Sequence, residues 1–198
     1  MNFQKLLRVF FTGSARRRLL VLSLSIGTSL LGLGCEKRGA QSQTPTTNTP
    51  IRAATNALAG FAPTNAQPKL RTVKLWLGPQ ELTAELALSL PQIMTGMMFR
   101  KQMGEHEGML FVFGRAHRAS FYMRNTLIPL SCAYIDHDGT ILEIHDMKPL
   151  DESPIEAHSD NVQFVLEVKQ GWFARNKVGA GSVVRTEFGS LPDTFLKQ

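Results

Sequence analysis

Cysteine is scarce in this sequence, whose 198 residues include two, Cys35 and Cys132. Small scaffolds held together by disulfides carry several regularly spaced cysteines, so that class of protein is excluded. Cys132 lies alone in an apolar run. Such a position is more typical of a small buried residue than of a nucleophile, because a reactive thiolate needs an electropositive setting. The folded part of the chain must therefore be stabilised by apolar burial.

Acidic residues are missing from the first 34 positions, which carry five of the 22 basic residues. From Lys69 onward the chain has 14 basic and 15 acidic residues, so the formal net charge of +6 comes from the N-terminal part. A nucleic-acid-binding domain needs a basic face for phosphate groups, and this charge distribution does not provide one. We therefore expect no nucleic-acid partner.

The sequence also lacks an apolar run of the roughly 20 residues that a transmembrane helix needs. Its longest run, Leu19–Gly34, follows three arginines and ends directly before Cys35, which is typical of an export signal. The ending LGLGC resembles a bacterial lipoprotein signal, in which the cysteine is lipidated and becomes the new N-terminus. We therefore predict a signal peptide over residues 1–34 and lipidation of Cys35. An uncleaved anchor and ordinary cleavage are the alternatives.

Export and lipidation would place the protein on the periplasmic side of a membrane. Glu36 follows the cysteine where an aspartate could retain the protein at the inner membrane, so the outer membrane is the expected location. Residues 35–68 contain few large apolar side chains and many Ser, Thr, Asn, Gln and Pro residues. Such a composition cannot offset the entropy lost on ordering, so we predict a flexible tether before a domain at 69–198.

Short apolar runs with period-two alternation predict strands through most of this domain. Turn residues at Gly78-Pro79 and Asp138-Gly139 predict two hairpins, and Ser89 to Gln92 matches a capping box that starts a short helix ending near Met97. The predicted strands are 73–77, 81–88, 108–113, 119–124, 130–135, 140–147, 161–168 and 182–187, with a helical turn at 171–177. Seven or eight strands and one or two short helices predict a mainly β, sandwich-like or barrel-like domain.

Several motifs of this domain resemble the family called domain of unknown function 192. They are GMMFR at 96–100, EGMLFVF at 107–113, FYMRNTLIP at 121–129, Ile135-Asp136 with Gly139, and LEV at 166–168 with Gly171. The resemblance implies an exported or lipid-anchored protein with a compact, mainly β domain, and it implies no particular activity. One departure stands out, because the family has an aspartate after IPL and this chain has Ser131.

The polar residues of these motifs are the candidate binding residues: Arg100, Glu107, Arg124, Asn125, Asp136 and Glu167. In one hypothesis they form a pocket in which the two arginines bind an anionic group and Asn125 orients it. In the alternative, Asn125 and Asp136 serve turns, Arg100 caps the helix end, and Glu167 pairs with a base on an exposed face.

Methionine is frequent in the domain, and thioethers with a histidine such as His106 or His145 could bind Cu(I). The candidate ligands are Met103, His106 and Met109, and the alternative is that these methionines fill an irregular core. The other histidines, His117, His137 and His158, show no metal-ligand spacing, and we expect no cofactor.

Catalytic motifs are also missing, since the sequence has neither a phosphate-binding glycine loop nor a GxSxG nucleophile. We therefore expect a monomeric, non-catalytic binding or structural module of the cell envelope. Its partners would be the membrane, through the lipid, and a small molecule or envelope component. An enzyme or a metal-handling protein is the alternative.

Overall fold

The computed structural model describes residues 62–197. The predicted signal segment, Cys35 and most of the predicted tether lie outside these residues. Within the described range, no helix is long and apolar enough to cross a membrane. The strands of this range are β1 Thr72–Leu77, β2 Gln80–Ala87, β3 Glu107–His117, β4 Ser120–Phe121, β5 Leu130–Ile135, β6 Ile141–Met147, β7 Ile155–Glu156, β8 Val162–Lys169, β9 Val184–Thr186 and β10 Gly189–Ser190. Its helices are α1 Leu90–Thr95, α2 Trp172–Arg175 and α3 Leu191–Phe195.

Eight strands form one sheet in the order β10-β9-β1-β2-β3-β8-β5-β6, and β4 pairs with β7 in a separate ribbon. Within the large sheet β2 and β3 are parallel, and the other neighbouring strands are antiparallel. The parallel pair is possible because α1 and the residues after it carry the chain back between β2 and β3. The mainly β prediction is confirmed, and so are the hairpins β1–β2 and β5–β6.

The two ends of the large sheet are joined by backbone hydrogen bonds, which makes the domain barrel-like. Thr140, just before β6, bridges to Val183, just before β9. The amide of Ile141 donates to the carbonyl of Ser182, and the amide of Val184 donates to the carbonyl of Gly139, both at 2.8 Å. Closure at this point leaves less exposed strand edge that could pair with other chains, although most of β6 remains an edge strand.

Apolar side chains pack on both faces of the central strands. A first core takes buried residues from seven strands of the large sheet, from Val73 in β1 to Val184 in β9. A second core lies on the opposite face of β3, β5 and β8, under α1 and the β4–β7 ribbon. Because they have a core on each side, the central strands are buried throughout: every residue of β5 and every residue of β8 except Lys169 is buried. The second core contains the candidate site.

Three details differ from the sequence prediction. The predicted helix to Met97 ends at Thr95, where Gly96 adopts φ 46°. The predicted strand 119–124 is reduced to the two residues of β4. Beyond β4 the amide of Met123 donates to the carbonyl of Asp151, and Asn125 takes a positive φ of 56°, so this stretch forms a turn. Short pairings at β7 and β10, and helix α3, were not predicted because they depend on contacts distant in sequence.

Candidate functional site

Glu167 is a carboxylic acid in the interior of the domain. It lies on β8 directly opposite Met109 of β3 and Cys132 of β5, so the three side chains share the face of the sheet that carries the second core. Its exposed fraction is 5%, and its Oε2 atom has no hydrogen-bond partner among the described residues. A buried polar atom without a partner costs about 1–3 kcal/mol, so it needs an explanation.

Burial also changes the acidity of this group. Removal from water raises the pKa of Glu167 to about 8, because a carboxylate is poorly stabilised in apolar surroundings. At neutral pH the side chain is therefore mainly the neutral acid. The alternative in which Glu167 pairs with a base on an exposed face is wrong, since Glu167 is buried.

A cavity of about 210 Å³ opens beside Glu167, and we call it the Glu167 cavity. Its walls come from four separate segments of the chain, all packed on the second core. The lining residues are Ile93, Met94, Thr95, Gly96, Met97, Met98, Phe111, Phe113, His117, Ser120, Phe121, Tyr122, Thr126 and Glu167. Each of the motifs GMMFR, EGMLFVF, FYMRNTLIP and LEV contributes at least one of them. The motifs that are far apart in sequence thus meet at one place in the fold.

Local backbone geometry holds these walls together. Gly96 ends α1, and a side chain there would place its Cβ 3.3 Å from the ring of Phe111, so the glycine lets the helix end lie against that ring. Phe99 and Asn125 both have positive φ, and the amide of Phe99 donates to the carbonyl of Asn125 at 2.8 Å. This hydrogen bond fixes the turn after α1 to the turn after β4.

The cavity combines aromatic surface with few polar groups. Phe111 and Phe121 pack edge to face with their ring centroids 5.0 Å apart. The hydroxyl of Thr95 donates to the carbonyl of Pro91, so it is already satisfied. Glu167 is the acid of this lining, and the lining contains no lysine or arginine among the described residues. His117, Ser120, Tyr122 and Thr126 add further polar atoms to the aromatic and methionine walls. A pocket that combines apolar walls with a few polar groups is typical of small-molecule sites.

Cys132, on the neighbouring strand, is fully buried. Desolvation, together with the charge that Glu167 carries when ionised, raises the pKa of the Cys132 thiol to about 12. The thiol therefore stays protonated, and protonated thiols are poor nucleophiles. This agrees with the prediction of a small buried residue.

The predicted binding residues do not gather in one pocket. Arg100 and Glu107 line a separate depression of about 230 Å³, together with Glu85 and Met103. Arg100 donates to Oε2 of Glu85 at 3.0 Å, so it forms an ion pair and does not cap the helix end.

Arg124 and Asn125 are absent from that lining. Arg124 is exposed. Asn125 occupies the turn described above, and Asp136 accepts hydrogen bonds from the amides of Asp138 and Thr140 at 3.0 and 2.8 Å. Asn125 and Asp136 thus have turn roles, as the alternative interpretation expected.

The candidate Cu(I) ligands have different environments. His106 is exposed, Met103 is partly buried, and Met109 is fully buried in the second core beside Glu167. Met97, Met98, Met123 and Met147 are also buried. The interpretation of the methionines as core-filling residues therefore describes most of them. A different group, Glu143, His145 and His158, brings metal-ligating atoms together.

Ser131 occupies the position after IPL at which the family resemblance leads us to expect an aspartate. Its hydroxyl donates to Oδ1 of Asp146 on β6 and accepts from the amide of Gly171 at 2.8 Å. A carboxylate, that of Asp146, is thus still present near this position, on the neighbouring strand. The hydroxyl of Ser131 connects it by hydrogen bonds to the backbone at the start of α2. Ser131 lies on the face of β5 opposite Cys132, so it does not reach the Glu167 cavity.

Two solved structures resemble the fold. A protein from Sinorhizobium meliloti 1021, described as a proposed transcription regulator, has 33% identity and a TM-score of 0.58, and the match covers 61% of this chain and 97% of that one. A protein of unknown function from Novosphingobium aromaticivorans DSM 12444 has 32% identity and a TM-score of 0.56, covering 65% of this chain and 96% of that one. No protein with a curated description matches significantly. Residues 73–186 match the DUF192 family, described as an uncharacterized ACR, and because this match spans more than half of the chain, the chain belongs to that family.

Proposed function

We propose that this protein is a non-catalytic binding module that holds a small organic amine in the Glu167 cavity. The observation that carries the proposal is the carboxyl of Glu167, which is buried, lines a cavity and has one oxygen without a partner. A ligand ammonium group would supply both the hydrogen bond and the counter-charge that this carboxyl lacks.

The rest of the cavity suits the remainder of such a molecule. Phe111, Phe113, Phe121 and Tyr122 offer aromatic surface, and cations bind favourably near aromatic faces. A volume of about 210 Å³ limits the ligand to a small body, such as one ring or a short alkyl chain. We propose a binding module over an enzyme because the nearest thiol, Cys132, stays protonated and is therefore a poor nucleophile for a ligand in this cavity.

Binding of an amine should be measured on the full chain by calorimetry, with benzylamine and benzyl alcohol as a pair of similar shape. We expect benzylamine to bind and the alcohol to bind more weakly. Because Glu167 is mainly protonated at pH 7 and ionises when it meets an ammonium group, binding should release about one proton, which appears as a dependence of the heat on the buffer.

The variant Glu167→Gln keeps the shape of the side chain and removes its charge. It should abolish preferential binding of the amine, whereas Glu107→Gln, at an exposed acid outside the cavity, should leave it intact. The proposal fails if neither probe binds, or if Glu167→Gln binds benzylamine as tightly as the unaltered chain does.

We further propose that the module is exported and held at the periplasmic face of the outer membrane by a lipid on Cys35. The support is the basic segment, the 16-residue apolar run Leu19–Gly34 and the LGLGC ending, all of which lie outside the described residues. Mass spectrometry of the mature N-terminus tests this. A chain that begins at Cys35 and carries acyl mass is expected, and an unmodified Cys35 would disprove the anchor.

A further inference from the structure

Three side chains with metal-ligating atoms converge at the edge strand β6, away from the Glu167 cavity lining. Glu143 and His145 are two residues apart on β6, so they project from the same face of the strand. His158 follows β7, and the β4–β7 ribbon carries it to the same place. One ligand atom from each side chain lies within 4.8 Å of the other two. From this geometry we propose that Glu143, His145 and His158 form a binding site for a divalent transition-metal ion of the Zn²⁺ type.

The carboxylate of Glu143 is already oriented for this role. Its Oε1 atom accepts a hydrogen bond from the backbone amide of His158 at 2.8 Å, which fixes the direction of the group. Its Oε2 atom lies 2.9 Å from Nε2 of His145 and 2.5 Å from Nδ1 of His158, so it stands between the two imidazoles. Fixing a ligand by a hydrogen bond to its other atom is how proteins commonly position metal-binding groups.

The spacing of the ligand atoms suits a tetrahedral ion after a small adjustment. Zn–N and Zn–O bonds of 2.0–2.2 Å place neighbouring ligand atoms roughly 3.3 Å apart. The observed separations of 2.9 and 2.5 Å must therefore open slightly. His158 can move, because its side chain is 87% exposed. The side chains of His145 and Glu143 are 28% and 16% exposed, so the surrounding residues restrict them more.

The ligand types point to the class of metal. Two imidazole nitrogens and one carboxylate oxygen are a common set for Zn²⁺, and three protein ligands leave one coordination position open. Cu(I) prefers thiolates and thioethers, which this set lacks, so the site differs in kind from the methionine site considered from the sequence. The ring of His145 lies against that of Tyr134 in a tilted arrangement, with ring centroids 5.5 Å apart and planes at 57°, so the partly buried histidine has a support on this side.

Titration of the full chain with Zn²⁺ by calorimetry tests the site, together with Co²⁺ absorption, whose intensity reports tetrahedral coordination. We expect saturable binding of one ion, and a loss of affinity of more than about tenfold in Glu143→Gln, His145→Ala and His158→Ala, since even outer-shell partners contribute about 10–100-fold. His158→Ala is the decisive variant, because an exposed side chain can be removed without harming the fold. His137→Ala, at an exposed histidine in the β5–β6 turn, is the control and should bind as the unaltered chain does. Absence of saturable binding, or binding that survives His158→Ala and Glu143→Gln unchanged, overturns the proposal.

Discussion

Glu167 and Cys132 lie directly opposite each other on β8 and β5, and both side chains are excluded from solvent. Two weak acids in register within an apolar core cannot both ionise at moderate cost, because each charge would be desolvated and would repel the other. Burial alone raises the pKa of Glu167 to about 8, whereas burial together with the charge of ionised Glu167 raises the pKa of Cys132 to about 12. This pair makes the stability and the reactivity of the domain depend on pH in a defined direction.

Stability should fall as the pH rises toward 8, because of Glu167. An exposed glutamate has a pKa of about 4.5, so between about pH 4.5 and 8 the folded state holds one proton more than the unfolded state. The stabilising contribution of Glu167 to the free energy of unfolding is therefore complete below pH 4.5. It declines between pH 4.5 and 8 by up to about 1.4 kcal/mol per pH unit, and it changes no further above pH 8. Urea unfolding across this range, for the unaltered chain and for Glu167→Gln, measures the effect.

The difference between these two proteins isolates the group, since other titrating residues contribute equally to both. The free energy of unfolding of Glu167→Gln, relative to the unaltered chain, should rise by on the order of a few kcal/mol from pH 5 to pH 9. A flat difference for Glu167→Gln would mean that the Glu167 carboxyl is solvated in the folded protein.

The Cys132 thiol should be nearly inert in the folded protein. Its pKa of about 12 leaves a very small thiolate fraction at pH 8, and its complete burial blocks access to reagents. Iodoacetamide labelling followed by peptide mass spectrometry should find Cys132 unmodified under native conditions and fully modified in urea. Because the modification is measured on individual peptides, labelling of Cys35 is not counted as labelling of Cys132. Rapid native labelling would contradict the described packing.

Local patterns in the sequence were sufficient for most strands, because alternation and turn residues act over short distances. The hairpin at Gly78-Pro79 and the turn at Asp138-Gly139 were predicted correctly for this reason. The ribbon of β4 with β7 was not predicted, since Phe121 pairs with Ile155, which lies 34 residues further along the chain. Closure of the sheet through Thr140 and Val183 depends on a similarly distant contact.

The candidate site shows the same limit. One of the two interpretations of Glu167 placed it on an exposed face of the predicted strand 161–168, although in the fold every residue from Val162 to Val168 is buried. A nearly continuous apolar run indicates a strand that is covered on both faces. A single acid within such a run was therefore the available indication of a buried carboxyl group. For the proposed metal site, the sequence places Glu143 and His145 on one face of a predicted strand. It does not predict that His158 lies beside them, because the β4–β7 ribbon brings His158 to that place.

Glycine is required at position 108, in the middle of the sheet. A Cβ at Gly108 would lie 2.9 Å from the backbone carbonyl oxygen of Glu167 and 3.2 Å from a methyl of Leu82. Gly108→Ala should therefore lower the free energy of unfolding by about 1–3 kcal/mol, the usual cost of overpacking. Gly114→Ala is the matched control on the same strand, since a Cβ there meets no atom within 4 Å. Thermal unfolding should separate the two variants, and equal melting temperatures would refute the close approach.

The ion pair of Arg100 with Glu85 should contribute more to stability than a surface pair does. Its side chains are 20% and 13% exposed, and Glu85 also accepts from the amide of Leu70 at 2.7 Å, so the pair fastens the segment before β1 to the turn after α1. Arg100→Ala leaves a partly buried carboxylate with one partner fewer, so we expect a loss of about 2–3 kcal/mol in urea unfolding.

The comparison for this variant is Lys74→Ala, which breaks a pair with Glu81 whose side chains are 52% and 45% exposed. Solvent screens such a pair, so its loss should change the free energy of unfolding much less than Arg100→Ala does. The double variant Arg100→Ala with Glu85→Gln should recover part of the loss, because it removes the unpaired charge. If Arg100→Ala proves as mild as Lys74→Ala, the pair is solvated. In that case the depression lined by Arg100 and Glu107 would be an open surface and could not serve as a site.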